Sequence, residues 1–248
     1  MIKKENGMTE TVIVIGAGAS NGVGGATARR FAKEGFHVIT AGRTLEKVEA
    51  VAAEITSDGG SAEGFKTDVT IASDQDALFA HAATKGKLSA VVYNAGNNAI
   101  IPFEELEPEL VENFWRVGCF GAFLAAKRAI PVLKAQGEGS LFFTGASGSM
   151  RGKPNFAHFA SMKAGLRMLA QSLAREFGPH GVHVAHFIID GVIDGDMVRG
   201  RFGDYLDQLG QDGGLSPDAI ADAYWHVHSQ HRSAWTHEMD LRPFKESW

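Results

Sequence analysis

Hydrophobic residues fall into two alternating patterns along the chain. Short unbroken apolar or β-branched runs occur at Thr11 to Ile15, Phe36 to Ala41, Leu88 to Tyr93, Ser140 to Thr144 and Val182 to Ile189. Each is too brief for a helix and suits a strand buried on both faces. A further strand ends near Thr67, and Ala234 to Leu241 suits a last one. Between them apolar residues recur at helical spacing: Ala28, Phe31 and Ala32; Leu45, Val48, Ala52 and Ile55; Leu166, Leu169, Leu173 and Phe177. Gly35 suits the C′ position of the first helix. Ser73 to Lys85 reads as a helix with Ser73 as N-cap and Asp76 three residues on. Pro108 to Gln136 reads as one long helix that Pro131 should kink or end. Pro217 opens a helix running to about His228. Strand and helix alternate throughout, which predicts an α/β fold: a doubly wound parallel sheet with helices on both faces.

Composition narrows the class. At 248 residues with 44% hydrophobic content, the chain can bury the core of a single domain. Residues 1–10 read as a loose, flexible tail ahead of a domain spanning 11–248. The formal net charge is −5 and basic residues never cluster beyond a pair, so no nucleic-acid partner is expected. A single cysteine, Cys119, sits among Phe114, Val117 and Phe120 and reads as a buried small hydrophobe. No apolar stretch is long enough to span a membrane, so a cytoplasmic protein without a membrane partner is expected. His226, His228, His231 and His237 lack a ligand-like spacing, so no metal is expected. Gly191 to Gly214 is rich in glycine and aspartate and reads as a mobile lid, with Met197, Phe202 and Tyr205 lining it.

The densest chemistry lies between the first strand and the first helix. Gly18, Gly22 and Gly24 form a G-x-x-x-G-x-G turn that also holds Ser20, Asn21 and Val23. Strand, glycine turn and helix together present bare backbone N–H groups and a positive helix end to a phosphate. At the end of the second strand stands Gly42-Arg43, where an acid would bond a ribose 2′-hydroxyl. A guanidinium there suits a 2′-phosphate instead, so NADP is expected over NAD. Farther on come Asn94-Ala95-Gly96 and the stretch Phe159-Ala-Ser-Met-Lys163. The glycine turn, the Asn-Ala-Gly segment and the spacing of Phe159 to Lys163 resemble the short-chain dehydrogenase/reductase family over residues 11 to 242.

The resemblance implies a single Rossmann-type domain. It implies a cofactor site at Gly18, Ser20, Asn21, Gly22, Val23, Gly24, Arg43, Asp68, Val69, Asn94, Ala95, Gly96, Lys163, Gly191 and Ile193. Asp68 would contact the adenine in such a site, although a turn or N-cap role fits it equally. Backbone groups of Ile193 would meet the nicotinamide amide. The catalytic positions are where the chain departs from the family. Phe159 stands for the acid/base Tyr, Ala146 for the substrate-orienting Ser, and Gly118 for the Asn that holds a relay water. Tyr93 replaces the first Asn of the usual Asn-Asn-Ala-Gly, Asp190 a Pro, and Gly195 a Thr. Lys163 alone remains of the proton relay, and Ser147 lies one residue from the lost Ser. Ser147, Arg151, Lys153 and His158 are the candidate substitutes for the proton donor. The expected function is an NADP(H)-binding oxidoreductase acting on an unknown small carbonyl or alcohol. The alternative is an inactive cofactor sensor, or a non-catalytic subunit of an oligomer. A homodimer or homotetramer is implied, with Trp235, Phe244 and Trp248 packing on a neighbouring subunit.

Overall fold

The computed structural model describes residues 9–246. Strand β1 (Glu10–Ile15) is buried along almost its whole length, and its two faces supply two separate cores. Val12 and Val14 pack with Phe31 of α1 (Val23–Lys33), while Ile13 and Ile15 pack on the opposite face. That two-residue alternation is what a strand requires when both of its faces carry helices.

The chain then adds β2 (His37–Gly42), α2 (Leu45–Ser57) and β3 (Ser61–Lys66) outward on one side. Helix α3 (Ala72–Ala83) returns across the sheet to β4 (Lys87–Tyr93). Next come α4 (Pro108–Trp115), α5 (Gly121–Gln136), β5 (Ser140–Thr144), α6 (Ala157–Phe177) and β6 (His183–Ile189). The last elements are α7 (Asp196–Leu209), α8 (Pro217–His228) and β7 (Glu238–Leu241). The described residues form one seven-stranded sheet, order β3-β2-β1-β4-β5-β6-β7, with every neighbouring pair parallel. Helices α1, α2 and α8 cover one face, and α3, α5 and α6 the other. The strand order reverses between β1 and β4, so a crevice opens at the carboxyl ends of those strands.

Several expectations need correction. Glu10 belongs to β1 rather than to a tail, and residues 1–8 and Trp248 lie outside the described residues. Ser73 does not cap α3, whose N-cap is Ile71. The neighbouring Asp74 carboxylate instead accepts the backbone N–H of Asp68, fixing the turn before the helix. Pro131 does not end α5, which runs on to Gln136; its missing N–H falls on the exposed side of the helix. The departure from α geometry comes earlier, in a π-helical turn from Arg116 to Phe120 joining α4 to α5. Within the stretch 191–214, read from the sequence as a lid, α7 occupies most of the residues, with a non-helical break at Phe202. The last strand begins at Glu238, and a short 3₁₀ turn takes the residues just before Trp235.

Candidate cofactor and active site

The turn between β1 and α1 is shaped by close backbone approach. A Cβ on Gly24 would lie 2.3 Å from the Gly16 carbonyl oxygen, so only glycine lets α1 start there. A Cβ on Gly18 would meet only Lys47 Cβ, at an ordinary contact distance of 3.9 Å, so no close approach crowds this glycine. Gly22 is the N-cap of α1, no side chain caps the helix, and its first turn carries no acid. Val23 turns its side chain into the core. Uncapped N–H groups beside a bare glycine are the donor set a pyrophosphate needs, so the residues present fit a dinucleotide. Arg43 is exposed just after β2 and, among the described residues, no carboxylate is paired to it, as a 2′-phosphate would require.

Two of the expected cofactor residues are engaged within the protein. The Ser20 hydroxyl donates to Glu54, and Arg29 donates to the Ser20 carbonyl at 2.8 Å, so Ser20 braces the turn. The backbone of Asn21 is paired with the start of α7. Asp196 N–H donates to the Asn21 carbonyl at 2.9 Å, and Asn21 N–H donates to an Asp196 carboxylate oxygen at 3.3 Å. A Cβ on Gly195 would lie 2.6 Å from the Asn21 carbonyl oxygen, which explains a glycine where the family has Thr. Asp196 was not singled out from the sequence. The glycine before it was the one sign that the chain passes tightly there.

Across the crevice, Asp68 accepts from both the N–H and the hydroxyl of Thr70, which favours the turn role and leaves its second oxygen without a bond. Val69 is buried in the core and its carbonyl accepts from Gln75. Asn94 donates from its amide to the Gly16 carbonyl at 3.0 Å, tying the ends of β1 and β4 together. A Cβ on Gly16 would come within 2.6 Å of the Ala95 backbone nitrogen, so these two loops touch. Gly96 sits near the ammonium of Lys163, 3.5 Å from where its Cβ would be. Gly191 packs under Pro243, and Ile193 spends its carbonyl on Gly195 N–H while bridging to Leu215.

Lys163 is 5% exposed and donates to the Thr144 carbonyl at 2.6 Å. Its ammonium lies 5.9 Å from the centroid of the Phe159 ring. Burial pushes the Lys163 pKa down to about 8. Phe159 itself is buried with Phe114, Cys119 and Met162, and its ring lies against the bare α-carbon of Gly148. Gly118 falls in the π-helical turn, where a Cβ would overlap the Met162 sulfur. Tyr93 is fully buried and donates its hydroxyl to the Val117 carbonyl in the same turn. Desolvation raises the Tyr93 pKa, so it stays a neutral donor. Side chains therefore fill the space around the position where the family carries its Asn.

Ser147 begins the 3₁₀ turn after β5, and among the described residues its hydroxyl has no hydrogen-bond partner. The neighbouring Ser149, which the sequence did not single out, accepts Ala146 N–H at 3.2 Å and bonds His186 Nε2 at 3.2 Å. His186 Nδ1 meets Glu238 at 3.1 Å, and Arg167 holds that carboxylate with two bonds. The parallel pairing of β6 with β5 and β7, together with α6, brings these four residues together. His158 is buried edge-on to Phe114, their centroids 4.4 Å apart, and burial lowers its pKa against a smaller opposing effect of the Ala99 backbone. Arg151 is paired with Asp190, and Lys153 is exposed. The candidate metal histidines are dispersed. His228 bonds Ser140, His237 the Val184 carbonyl, and His231 caps a 3₁₀ turn. Met197, Phe202 and Tyr205 are all exposed on α7.

The model of the short chain dehydrogenase family matches residues 10–205, and the chain belongs to that family. An uncharacterized oxidoreductase of Bacillus subtilis, YuxG, is 33% identical over 211 residues, which is 84% of this chain and 30% of that protein. The chain thus spans under a third of that relative's length. Oxidoreductase asL5 of Sarocladium schorii is 31% identical over 71% of this chain and 70% of its own. Among solved structures, a short-chain dehydrogenase from Rhodopseudomonas palustris superposes with a TM-score of 0.81 at 36% identity, covering 95% of this chain and 99% of its own. A metagenomic short-chain oxidoreductase in complex with NADP gives 0.80 at 26% identity, covering 94% of this chain and 97% of its own.

Proposed function

We propose that this chain is an NADP(H)-dependent oxidoreductase of a small carbonyl or alcohol in which Lys163 is the proton-bearing group of the site. The observation that carries this reading is Lys163 itself, buried at the strand ends beside Phe159 and bonded only to a backbone carbonyl. Gly18, Gly22 and the first turn of α1 would hold the pyrophosphate. Arg43 would hold the 2′-phosphate, and Asn94 to Gly96 would flank the ribose. NADPH, when bound, supplies the hydride. The protein's part is to orient the carbonyl and place a proton near its oxygen. Phe159 contributes a wall and no proton, and Ala146 contributes no hydroxyl. The ammonium of Lys163 is the remaining titratable donor, with the Ser147 hydroxyl as a hydrogen-bond partner for the substrate oxygen. A general acid is worth roughly 10²–10⁴-fold in rate.

The test is NADPH oxidation against a panel of aldehydes and ketones, with Lys163→Met alongside. Turnover that falls at least a hundredfold in Lys163→Met, while NADPH still binds, supports the reading; turnover unchanged by that substitution contradicts it. The second reading, a cofactor-binding sensor or non-catalytic subunit, is favoured by Phe159. It predicts tight NADPH binding with no turnover on any carbonyl.

A homodimer or homotetramer is part of the proposal. Exposed Trp115 at the end of α4, Phe123 on α5 and Met168 on α6 would supply apolar contacts to such a partner. Among the described residues no helix is long and apolar enough to cross a membrane, and a cytoplasmic location is proposed on that basis and on the family.

A further inference from the structure

We infer that Arg151 receives the carboxylate of an acidic substrate, so that the site acts on an oxo acid or hydroxy acid. The inference rests on the reaction proposed above and adds its substrate class. Arg151 follows the 3₁₀ turn Ser147–Ser149 at the end of β5, and Asp190 follows the last residue of β6. Lys163 bonds the Thr144 carbonyl at the end of β5, and Gly145 N–H donates to the Phe187 carbonyl of β6 at 2.7 Å. The Arg151–Asp190 pair and Lys163 therefore lie at the same end of the sheet, the carboxyl ends of the paired strands β5 and β6.

Asp190 is 1% exposed, and a carboxylate that deep is costly unless both oxygens are paired. Arg151 donates to one oxygen at 2.8 Å and Arg242 to the other at 2.5 Å. The same carboxylate thus steers a guanidinium on each side. Arg242 also reaches Asp240 at 3.2 Å. Arg151 makes a single bond from one terminal nitrogen, and its side chain is 37% exposed. Among the described residues its Nε and other terminal nitrogen have no hydrogen-bond partner. A guanidinium has a fork of donors that matches a planar carboxylate, and here one corner is fixed while an edge stays open.

A surface ion pair that merely pins a loop would need neither a fully buried carboxylate nor a guanidinium held by one corner. The surroundings give no broad positive field, because Asp240 and Glu246 also act on Arg151. Recognition would then depend on the geometry of the fork more than on net charge. The exposed Met150 beside Arg151, and the half-buried Phe156 packed on Phe159, offer contact to a short apolar body.

The experiment compares oxo acids with their methyl esters, with simple ketones and with phosphorylated ketones in the NADPH-bound protein. The expected result is kcat/KM at least tenfold higher for the free acids. Arg151→Gln should remove that preference by raising KM for the acids at least tenfold, and Arg151→Lys should recover it only in part. A second readout avoids turnover: an unreactive carboxylic acid should raise the melting temperature of wild type and not of Arg151→Gln. NADPH fluorescence is titrated first in each protein. Loss of NADPH binding in wild type would count against the cofactor reading, while carboxylate protection read without cofactor still tests Arg151. Equal use of acids and esters, stronger selection of phosphorylated ketones, or protection that survives in Arg151→Gln would each overturn the inference.

Discussion

A phenyl ring at position 159 has no proton to give, and the packing around it explains why it persists. Phe159 fills a small apolar cluster with Phe114, Cys119 and Met162, against the bare backbone of Gly148. A hydroxyl introduced at this ring would be near the Lys163 ammonium, whose charge favours a phenolate. Phe159→Tyr combined with Ala146→Ser is therefore expected to raise carbonyl reduction by about 10²–10⁴-fold, measured as NADPH oxidation at saturating cofactor. In wild type the reductive rate should fall about tenfold per pH unit above about 8, where Lys163 loses the proton it would donate. A flat profile between pH 7 and 9.5 would remove Lys163 as the donor. Phe159 and Lys163 were readable from the resemblance of their spacing to the family's signature, which a helix turns into one shared face. The partners of Arg151 and Ser149 were not, since Asp190 and His186 reach them only through strand pairing across long sequence separations.

Elements were legible where apolar runs and helical spacing agreed, as in β1, β5 and α2. They were obscure where local composition conflicts with tertiary contact. Glycines spread through 191–214 argue against a helix, yet α7 forms there with its first residue docked on the glycine turn through Asp196 and Asn21. Asp196 places a carboxylate on an N–H that a dinucleotide phosphate would approach. Asp196→Asn should tighten NADPH binding about fivefold, equivalent to roughly 1 kcal/mol for one charge at a helix N-terminus, as read by fluorescence titration. Weaker binding in that variant would mean that the acid supports the cofactor-bound arrangement instead. The π-helical turn is another element that local sequence concealed. It is accommodated by Gly121, where a Cβ would come within 2.3 Å of the Tyr93 hydroxyl, and Tyr93 is fully buried. Gly121→Ala is expected to destabilise the protein by about 1–3 kcal/mol in denaturant unfolding.

Across the whole molecule, the alternation of strands and helices carried the doubly wound topology. Right-handed crossovers and the return of α3 across the sheet then fix β1 beside β4. Buried histidines make this assembly acid-sensitive. His186 is held neutral by burial, its pKa pushed down to about 4, whereas an unfolded histidine titrates near 6.5. The unfolded chain therefore binds more protons between those values, and stability is lost as pH falls from about 6.5 towards 4, by on the order of 3 kcal/mol. Glu63, whose pKa is lowered to about 2 with hydrogen bonds from Lys85, His37 and His81, adds a loss of the same sign below the ordinary carboxylate range. Melting temperature followed from pH 7 to 4 should fall steadily, and a constant value would contradict the burial of His186. The uncrowded Gly18, the uncapped start of α1 and the exposed Arg43 converge on one claim about the whole protein, that it holds NADP(H). Its most direct test is fluorescence titration of NADPH and NADH side by side. The account predicts NADPH binding at least tenfold tighter than NADH; binding of neither cofactor, or equal binding of both, would contradict it.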